Sequence, residues 1–183
     1  MSRIILFCFL SWICLNATAE IKKQYNDNAR FQEVPWSETA VPLPPFPQQE
    51  EENWQSFYIS EHYKNTASLH LQSLNVYDDY SIRYVLDIKT PTGVHNISAE
   101  GLRCNSRLHR TFAYGDTHSR KWITNTRSDW QSLDAGDEVR LQLRFIFCDD
   151  GTPRNHDDAV TRLIKLGTKT YHPQTQGNSS SSW

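Results

Sequence analysis

The sequence predicts an α+β fold in which an antiparallel sheet is followed by C-terminal helices packed on one face of the sheet. Residues 54–123 contain short runs in which apolar and polar residues alternate, a pattern typical of half-buried strands. After Trp130 the apolar residues recur at helical spacing, in two segments separated by a break at residues 149–153. Strands first and helices afterwards are the order expected for this fold class.

The clearest strand signal lies in residues 81–89. Apolar residues recur there at every second position, so we expect one face of the strand to be buried and the other to face water. The expected buried residues are Ile82, Tyr84, Leu86 and Ile88, and the expected solvent-facing residues are Ser81, Arg83, Asp87 and Lys89. Residues 90–93 predict a turn, because Pro91 presets φ and Gly93 tolerates positive φ. Residues 81–104 should therefore form an antiparallel hairpin.

Weaker patterns predict the remaining elements. Further strands are expected in residues 54–59, 68–72, 107–114 and 122–123, with loops at residues 75–79 and 115–116. Residues 138–148 predict the first helix, although their continuous apolar density leaves a strand as an alternative. The second helix is predicted more clearly, because Asn155 can cap its start and Gly167 is placed to end it.

The sequence divides into four predicted segments. They are a signal peptide (1–19), an extended Pro-rich arm (20–53), a single globular domain (54–167) and a disordered tail (168–183). The signal peptide is predicted from Arg3, an apolar run too short to span a bilayer, and an Ala-x-Ala cleavage signal that ends at Ala19. The arm should lie on the domain surface through Trp36, Leu43 and Phe46, or, in the alternative, present its prolines to a proline-binding module.

The charge balance argues against a general nucleic-acid binder. The chain has 19 basic and 21 acidic residues, a formal net charge of −2, and loss of the leader removes only Arg3 among them. A nucleic-acid binder would instead show a dense basic face. Beyond the leader no stretch approaches the length of a transmembrane helix, so we expect no transmembrane anchor in the mature chain.

The cysteines predict one disulfide bond. Cys8 and Cys14 leave with the leader, unless Cys14 is instead the lipid-modified residue of a lipoprotein. Cys104 and Cys148 remain, and in an oxidising compartment we expect them to pair, with two separate buried thiols as the alternative. A metal pair or a catalytic thiol is disfavoured, because neither residue lies in a C-x-x-C motif or has a histidine at ligand spacing.

No catalytic, cofactor-binding or metal-binding motif stands out in the sequence, so no cofactor and no metal are expected. The seven histidines are scattered and form no compact ligand set. A possible polar site comprises Glu100, Arg103 and His109. Gly101 lies inside a predicted strand and indicates a bulge or a close backbone approach. Glu100 and Arg103 could then pair beside the disulfide, either as a structural ion pair or as part of a polar pocket.

The order of several short motifs resembles the cryptic neisserial protein family, an uncharacterised exported family of Gram-negative bacteria. The motifs are Tyr84, the turn at 91–93, residues 96–98, 100–104 and 112–115, with Trp36, residues 43–45, Trp130 and residues 147–148 at similar places in the order. Ala99 departs from the pattern, which has a larger, aromatic residue before Glu100. The resemblance implies a periplasmic or envelope-associated domain. Because the family has no established activity, the resemblance assigns no functional residue.

These observations together predict an exported, non-enzymatic binding, structural or interaction module in the periplasm or cell envelope. Its expected partner is an envelope protein or another envelope component, not a nucleic acid. The alternative is a small envelope hydrolase whose site is assembled from dispersed residues such as Glu100, Arg103 and His109. The two functions differ in whether these three side chains converge in one cleft.

Overall fold

The computed structural model describes residues 35–48 and 53–169. Within them the chain forms an eight-stranded antiparallel sheet followed by two helices, so the α+β prediction is confirmed. The expected leader, the start of the arm and nearly all of the expected tail lie outside the described residues. The described residues from Trp36 onward belong to one compact unit. None of the described helices is long and apolar enough to cross a membrane.

The sheet has the strand order β1-β2-β4-β5-β6-β7, with β3 beside β4 and β8 beside β6. The strands are β1 (Trp54–Phe57), β2 (Thr66–His70), β3 (Asn75–Val76), β4 (Ser81–Lys89), β5 (His95–Arg103), β6 (Leu108–Asp116), β7 (Lys121–Thr124) and β8 (Gln131–Ser132). A 3₁₀ helix (Leu71–Ser73) follows β2, and the α-helices are α1 (Glu138–Cys148) and α2 (His156–Leu166). The loops predicted at residues 75–79 and 115–116 are wrong in part, because residues 75–76 form β3 and residues 115–116 pair with β7 as the end of β6. Strand β8 was not predicted, because two residues are too few to show an alternating pattern.

The hairpin expected over residues 81–104 is present as β4 and β5. Every residue of β4 pairs with a residue of β5. The turn is closed by the N–H of Thr90, which donates to the carbonyl of Val94 at 2.9 Å, and Gly93 has φ of 87°. A positive φ at this position favours glycine, as the sequence pattern predicted.

Both helices have side-chain caps at their starts. The carboxylate of Asp137 accepts from the N–H of Arg140 at 3.1 Å, and the amide oxygen of Asn155 accepts from the N–H of Asp158 at 2.9 Å. At the end of α2, a Cβ added to Gly167 would lie 2.4 Å from a backbone oxygen one turn earlier. The end of α2 in this conformation therefore requires glycine.

The hydrophobic core lies between the helices and one face of the sheet. Its fully buried apolar side chains include Leu69, Ile82, Tyr84, Leu86, Leu102, Leu143, Ile146, Phe147 and Leu163. Cys104, just after β5, is bonded to Cys148, the last residue of α1, with their Cα atoms 5.2 Å apart. The disulfide therefore joins the sheet to the end of the first helix.

The opposite face of β4 differs from the prediction. Of the four residues expected to face water, Ser81 and Asp87 are buried, Arg83 is half-buried and only Lys89 is exposed. Residues 36–47 lie across this side of the sheet and contact β4, β6 and β7, which covers Arg83. Asp87 lies against His95 of β5 instead, at 2.6 Å. We call residues 36–47 the strap and the side of the sheet beneath it the strap face. An alternating pattern indicates a buried face, but it does not show whether an irregular segment covers the other one.

Candidate functional site

The start of the strap is held by hydrogen bonds to β4 and to the loop before it. The indole Nε1 of Trp36 donates to the carbonyl of Asp79, and the N–H of Thr39 donates to the carboxylate of Asp79, both at 2.8 Å. Arg83 donates from Nη2 to the carbonyl of Thr39 at 2.9 Å. Burial opposes ionisation of Asp79, but hydrogen bonds from Ser81 and Thr39 outweigh it, and the pKa of Asp79 is lowered. Asp79 is therefore an ionised anchor for this end.

The other end of the strap is held by β6 and β7. The indole Nε1 of Trp122 donates to the carbonyl of Pro44 at 2.8 Å, and its ring packs against Phe46 with centroids 4.9 Å apart. Phe46 also lies directly on Gly115, where an added Cβ would come within 2.9 Å of the phenyl ring. Glycine at this position lets the ring contact the backbone of β6.

Between its two anchored ends the strap leaves space above the sheet. A cavity of about 300 Å³ lies beneath residues 41–45. Its walls combine apolar strap residues with polar and aromatic side chains of the sheet, including Val41, Leu43, Asn75, Tyr77, Arg83 and Phe112. A wider depression continues from it past Glu38 and Arg110. The strap thus forms one wall of a groove and does not fill the strap face completely.

Arginines from three neighbouring strands, Arg83, Arg103 and Arg110, project towards the strap. Arg83 on β4 and Arg110 on β6 are both register partners of Gly101 on β5, so they lie on either side of a position that has no side chain. Their guanidinium carbons lie over the ring of Phe112, at 4.6 and 4.8 Å from its centroid. Both guanidiniums donate to the carboxylate of Glu38 in the strap, at 3.2 and 2.5 Å. Glu38 is therefore clamped between two stacked cations.

The third arginine, Arg103, stacks on an aromatic ring. Its guanidinium carbon lies 3.6 Å from the ring centroid of Trp36. Burial lowers the pKa of Arg103, against the opposing effects of Asp79 and Glu38. Among the described residues it has no carboxylate within ion-pair distance. Within the described part of the chain, Arg103 is thus paired with a π face and not with an acid.

Gly101 and a bulge shape the centre of the strap face. The register of β5 and β6 shifts at Ala99/Glu100, and Phe112 is the inserted residue of β6. A Cβ on Gly101 would lie 2.9 Å from the ring of Trp130 and 3.0 Å from that of Phe112. Both parts of the sequence interpretation of Gly101 are thus seen, a close approach at the glycine and a bulge beside it. The rings of Trp130 and Phe112 meet edge to face, with centroids 6.0 Å apart.

The three residues of the expected polar site do not converge. Glu100 and His109 face the helices, whereas Arg103 faces the strap. Residues three apart on a strand point to opposite sides of the sheet, so Glu100 and Arg103 do not pair. Glu100 instead accepts two hydrogen bonds from Arg140 of α1, from Nη2 at 2.6 Å and from Nε at 2.8 Å. The helical spacing of Arg140 with Leu143 in the sequence indicates that Arg140 lies on the sheet-facing side of α1, but no local signal pairs it with Glu100.

The helix-facing side contains a buried polar cluster around this ion pair. The Glu100 side chain has no exposed surface, and Ser98 donates to it at 2.6 Å. Although burial alone would lower it, Glu100 raises the pKa of Arg140. Burial and the nearby Arg140 lower the pKa of His109. The arrangement keeps Arg140 charged and His109 neutral at pH 7, which suits a structural link between β5 and α1.

The described residues contain no assembled metal site. Within residues 35–48 and 53–169, no three His, Cys, Asp or Glu side chains come together as metal ligands would. The strap face instead offers guanidiniums, indoles and a groove. These groups can bind acidic, aromatic or extended ligands.

Comparisons with known proteins identify the family. Residues 31–165 match the CNP1-like family. A relative from Neisseria gonorrhoeae, Cryptic neisserial protein 1, is 31% identical over 159 residues, covering 74% of this chain and 78% of the relative. No solved structure matches the chain. The resemblance inferred from the sequence motifs is therefore confirmed, and the chain belongs to the CNP1-like family.

Proposed function

We propose that this protein is an exported, non-enzymatic binding module of the cell envelope whose ligand site is the groove between the strap and the strap face. The observation that carries the proposal is the cavity of about 300 Å³ beneath a strap that is anchored on both sides of it. Ligand sites are typically concave, mostly apolar spaces of about 300–1,000 Å³ with a few placed polar groups. The groove has this composition.

Export to the periplasm or envelope is supported by two features. Residues 1–19 have the pattern of a signal peptide, and the disulfide between Cys104 and Cys148 belongs in an oxidising compartment. An envelope protein or another envelope component is therefore the class of partner that the module would meet. The hydrolase alternative lacks comparable support, because Arg103 lies on the other side of the sheet from Glu100 and His109.

The test is to fill the groove from the strap. Val41 lines the cavity and is half-buried, so Val41→Trp should occupy the space without disturbing the helix-facing core. Val94→Trp is the matched control, because Val94 is 57% exposed in the β4–β5 turn. Wild type and both variants are incubated with envelope extract from the producing cell, washed, and compared by mass spectrometry.

We expect at least one envelope component to bind wild type and not Val41→Trp. That component should stay on wild type and on Val94→Trp and be lost from Val41→Trp. If every retained component binds all three proteins equally, or if none is retained by wild type, the groove is not the binding site. Circular dichroism of the three proteins checks that each is folded.

A further inference from the structure

We propose that the ligand of the strap face is an extended peptide segment of another protein that carries a carboxylate and prolines, and that the strap is an internal copy of this ligand. The inference rests on the proposed function and names the partner class for the same groove. Its starting point is that the strap binds the sheet as a separate peptide would, through side chains and single hydrogen bonds rather than through a β ladder.

The proline-rich end of the strap shows how the groove would bind the prolines of a peptide. Aromatic-lined grooves hold extended proline-rich segments, which are preformed in the polyproline II conformation. The indole N–H of Trp122 donates to the carbonyl of Pro44, and its ring packs at a tilt against Phe46. A peptide with prolines is preorganised in the extended conformation, so it loses little conformational entropy on binding.

The end of the strap that carries Glu38 shows how the groove would bind the carboxylate of a peptide. The strap contributes Glu38, whose carboxylate bridges Arg83 and Arg110. If Glu38 were removed, Arg83 would keep Asp79 at 3.6 Å as a counter-charge, and Arg110 would lose the carboxylate that it binds in the strap. A partly buried guanidinium pair without a counterion is costly, so any segment that displaces the strap must supply an acid at the same place.

The cavity explains why a foreign peptide could compete with the strap. As part of the same chain, the strap is present at an effective concentration in the millimolar range, which a foreign peptide must overcome. The middle of the strap leaves about 300 Å³ unfilled. A peptide with a larger apolar side chain at the position of Val41 would bury this space and gain contacts that the strap lacks.

The test measures binding of a labelled synthetic peptide with the sequence of residues 36–47 to the full-length protein. In the Phe46→Ala protein the strap loses the ring contact between Phe46 and Trp122 and keeps the hydrogen bond from Trp122 to Pro44, while all three arginines remain. We expect the peptide to bind this variant about ten-fold or more tightly than wild type, because the internal strap competes less. If the Phe46→Ala protein is not folded by circular dichroism, Glu38→Gln replaces it as the weakened-strap protein.

Three matched probes make the result specific. A peptide with glutamine in place of the glutamate should bind the weakened-strap protein about ten-fold less tightly, because the charge-assisted bonds to Arg83 and Arg110 are lost. When Arg110→Gln is added to that protein, the glutamate and glutamine peptides should differ less in binding affinity. A peptide with phenylalanine in place of the valine should bind more tightly, because it fills the cavity.

The outcomes separate the two proposals. Equal binding of the peptide to wild type and to the weakened-strap protein would overturn the inference, and so would equal binding of the glutamate and glutamine peptides. If either occurs while Val41→Trp still loses an envelope component, the groove is a ligand site but its ligand is not an acidic proline-containing peptide. If the peptide binds as expected and Val41→Trp loses nothing, the proposed use of the groove in the envelope is wrong instead.

Discussion

Glu100→Gln should cause a large loss of stability, because it breaks the ion pair between the sheet and α1. The Glu100 side chain is 0% exposed, and both of its oxygens accept hydrogen bonds from Arg140, at 2.6 and 2.8 Å. Glutamine removes the fully buried of the two carboxylates that neutralise this mostly buried guanidinium and leaves only the partly exposed Asp137. Breaking a buried pair in this way typically costs about 3–5 kcal/mol. Against a usual folding free energy of about 5–15 kcal/mol, this is a large share.

Asp137→Asn is the matched control for this prediction. Asp137 binds the same guanidinium at 2.8 Å, but its side chain is 20% exposed, and asparagine retains the ability to cap α1. The expected loss is therefore about 1 kcal/mol or less. Urea unfolding followed by tryptophan fluorescence at pH 7 gives both free energies. Equal losses for the two variants would refute the claim that burial makes the Glu100 pair the stronger link.

The remaining predictions concern stability and processing. Leu86→Ala should lower the free energy of unfolding by about 2–5 kcal/mol because it leaves a core cavity, whereas Lys89→Ala should change it little, and similar values would contradict the assigned faces of β4. Replacing both bonded cysteines, which are 44 positions apart, by alanine should cost about 4 kcal/mol in urea unfolding; a loss below about 1 kcal/mol would count against this model. The pKa of Asp79 is lowered below 3.8 in the folded state. The ionised carboxylate should therefore stabilise the fold above pH 3.8, and this contribution should be lost as the pH falls through the pKa of the folded state. Asp79→Asn should remove this part of the pH dependence of the free energy of unfolding. N-terminal sequencing of protein from the envelope should begin at Glu20, and a chain that keeps the leader would show that cleavage does not occur there.

Local sequence patterns predicted the elements whose signals are local. The β4–β5 hairpin followed from alternation and from the Pro91-Thr92-Gly93 turn, and α2 followed from Asn155 and Gly167. These features depend on backbone preferences and periodicity within a few residues. They could therefore be read before any tertiary contact was known.

The strap face could not be predicted in the same way. The clamp on Glu38 needs Arg83 and Arg110 to flank Gly101 across three strands, and only the register of the sheet brings them together. The predicted partner of Glu100, Arg103, was wrong for a related reason. Arg103 is near in sequence but on the wrong side of the strand, whereas Arg140 is distant in sequence and close in the fold.

The position of the strap in the chain has a consequence for the order of folding. Its anchors are separated in sequence from their partners by 43 residues for Trp36 and Asp79, and by 78 for Pro44 and Trp122. Contacts this distant repay the cost of closing their loops only after the intervening sheet has formed. Strap contacts should thus be absent from the folding transition state, so weakening them should speed unfolding and leave the folding rate almost unchanged. The strap is synthesised before the sheet that it covers, yet we expect it to dock only after that sheet is complete.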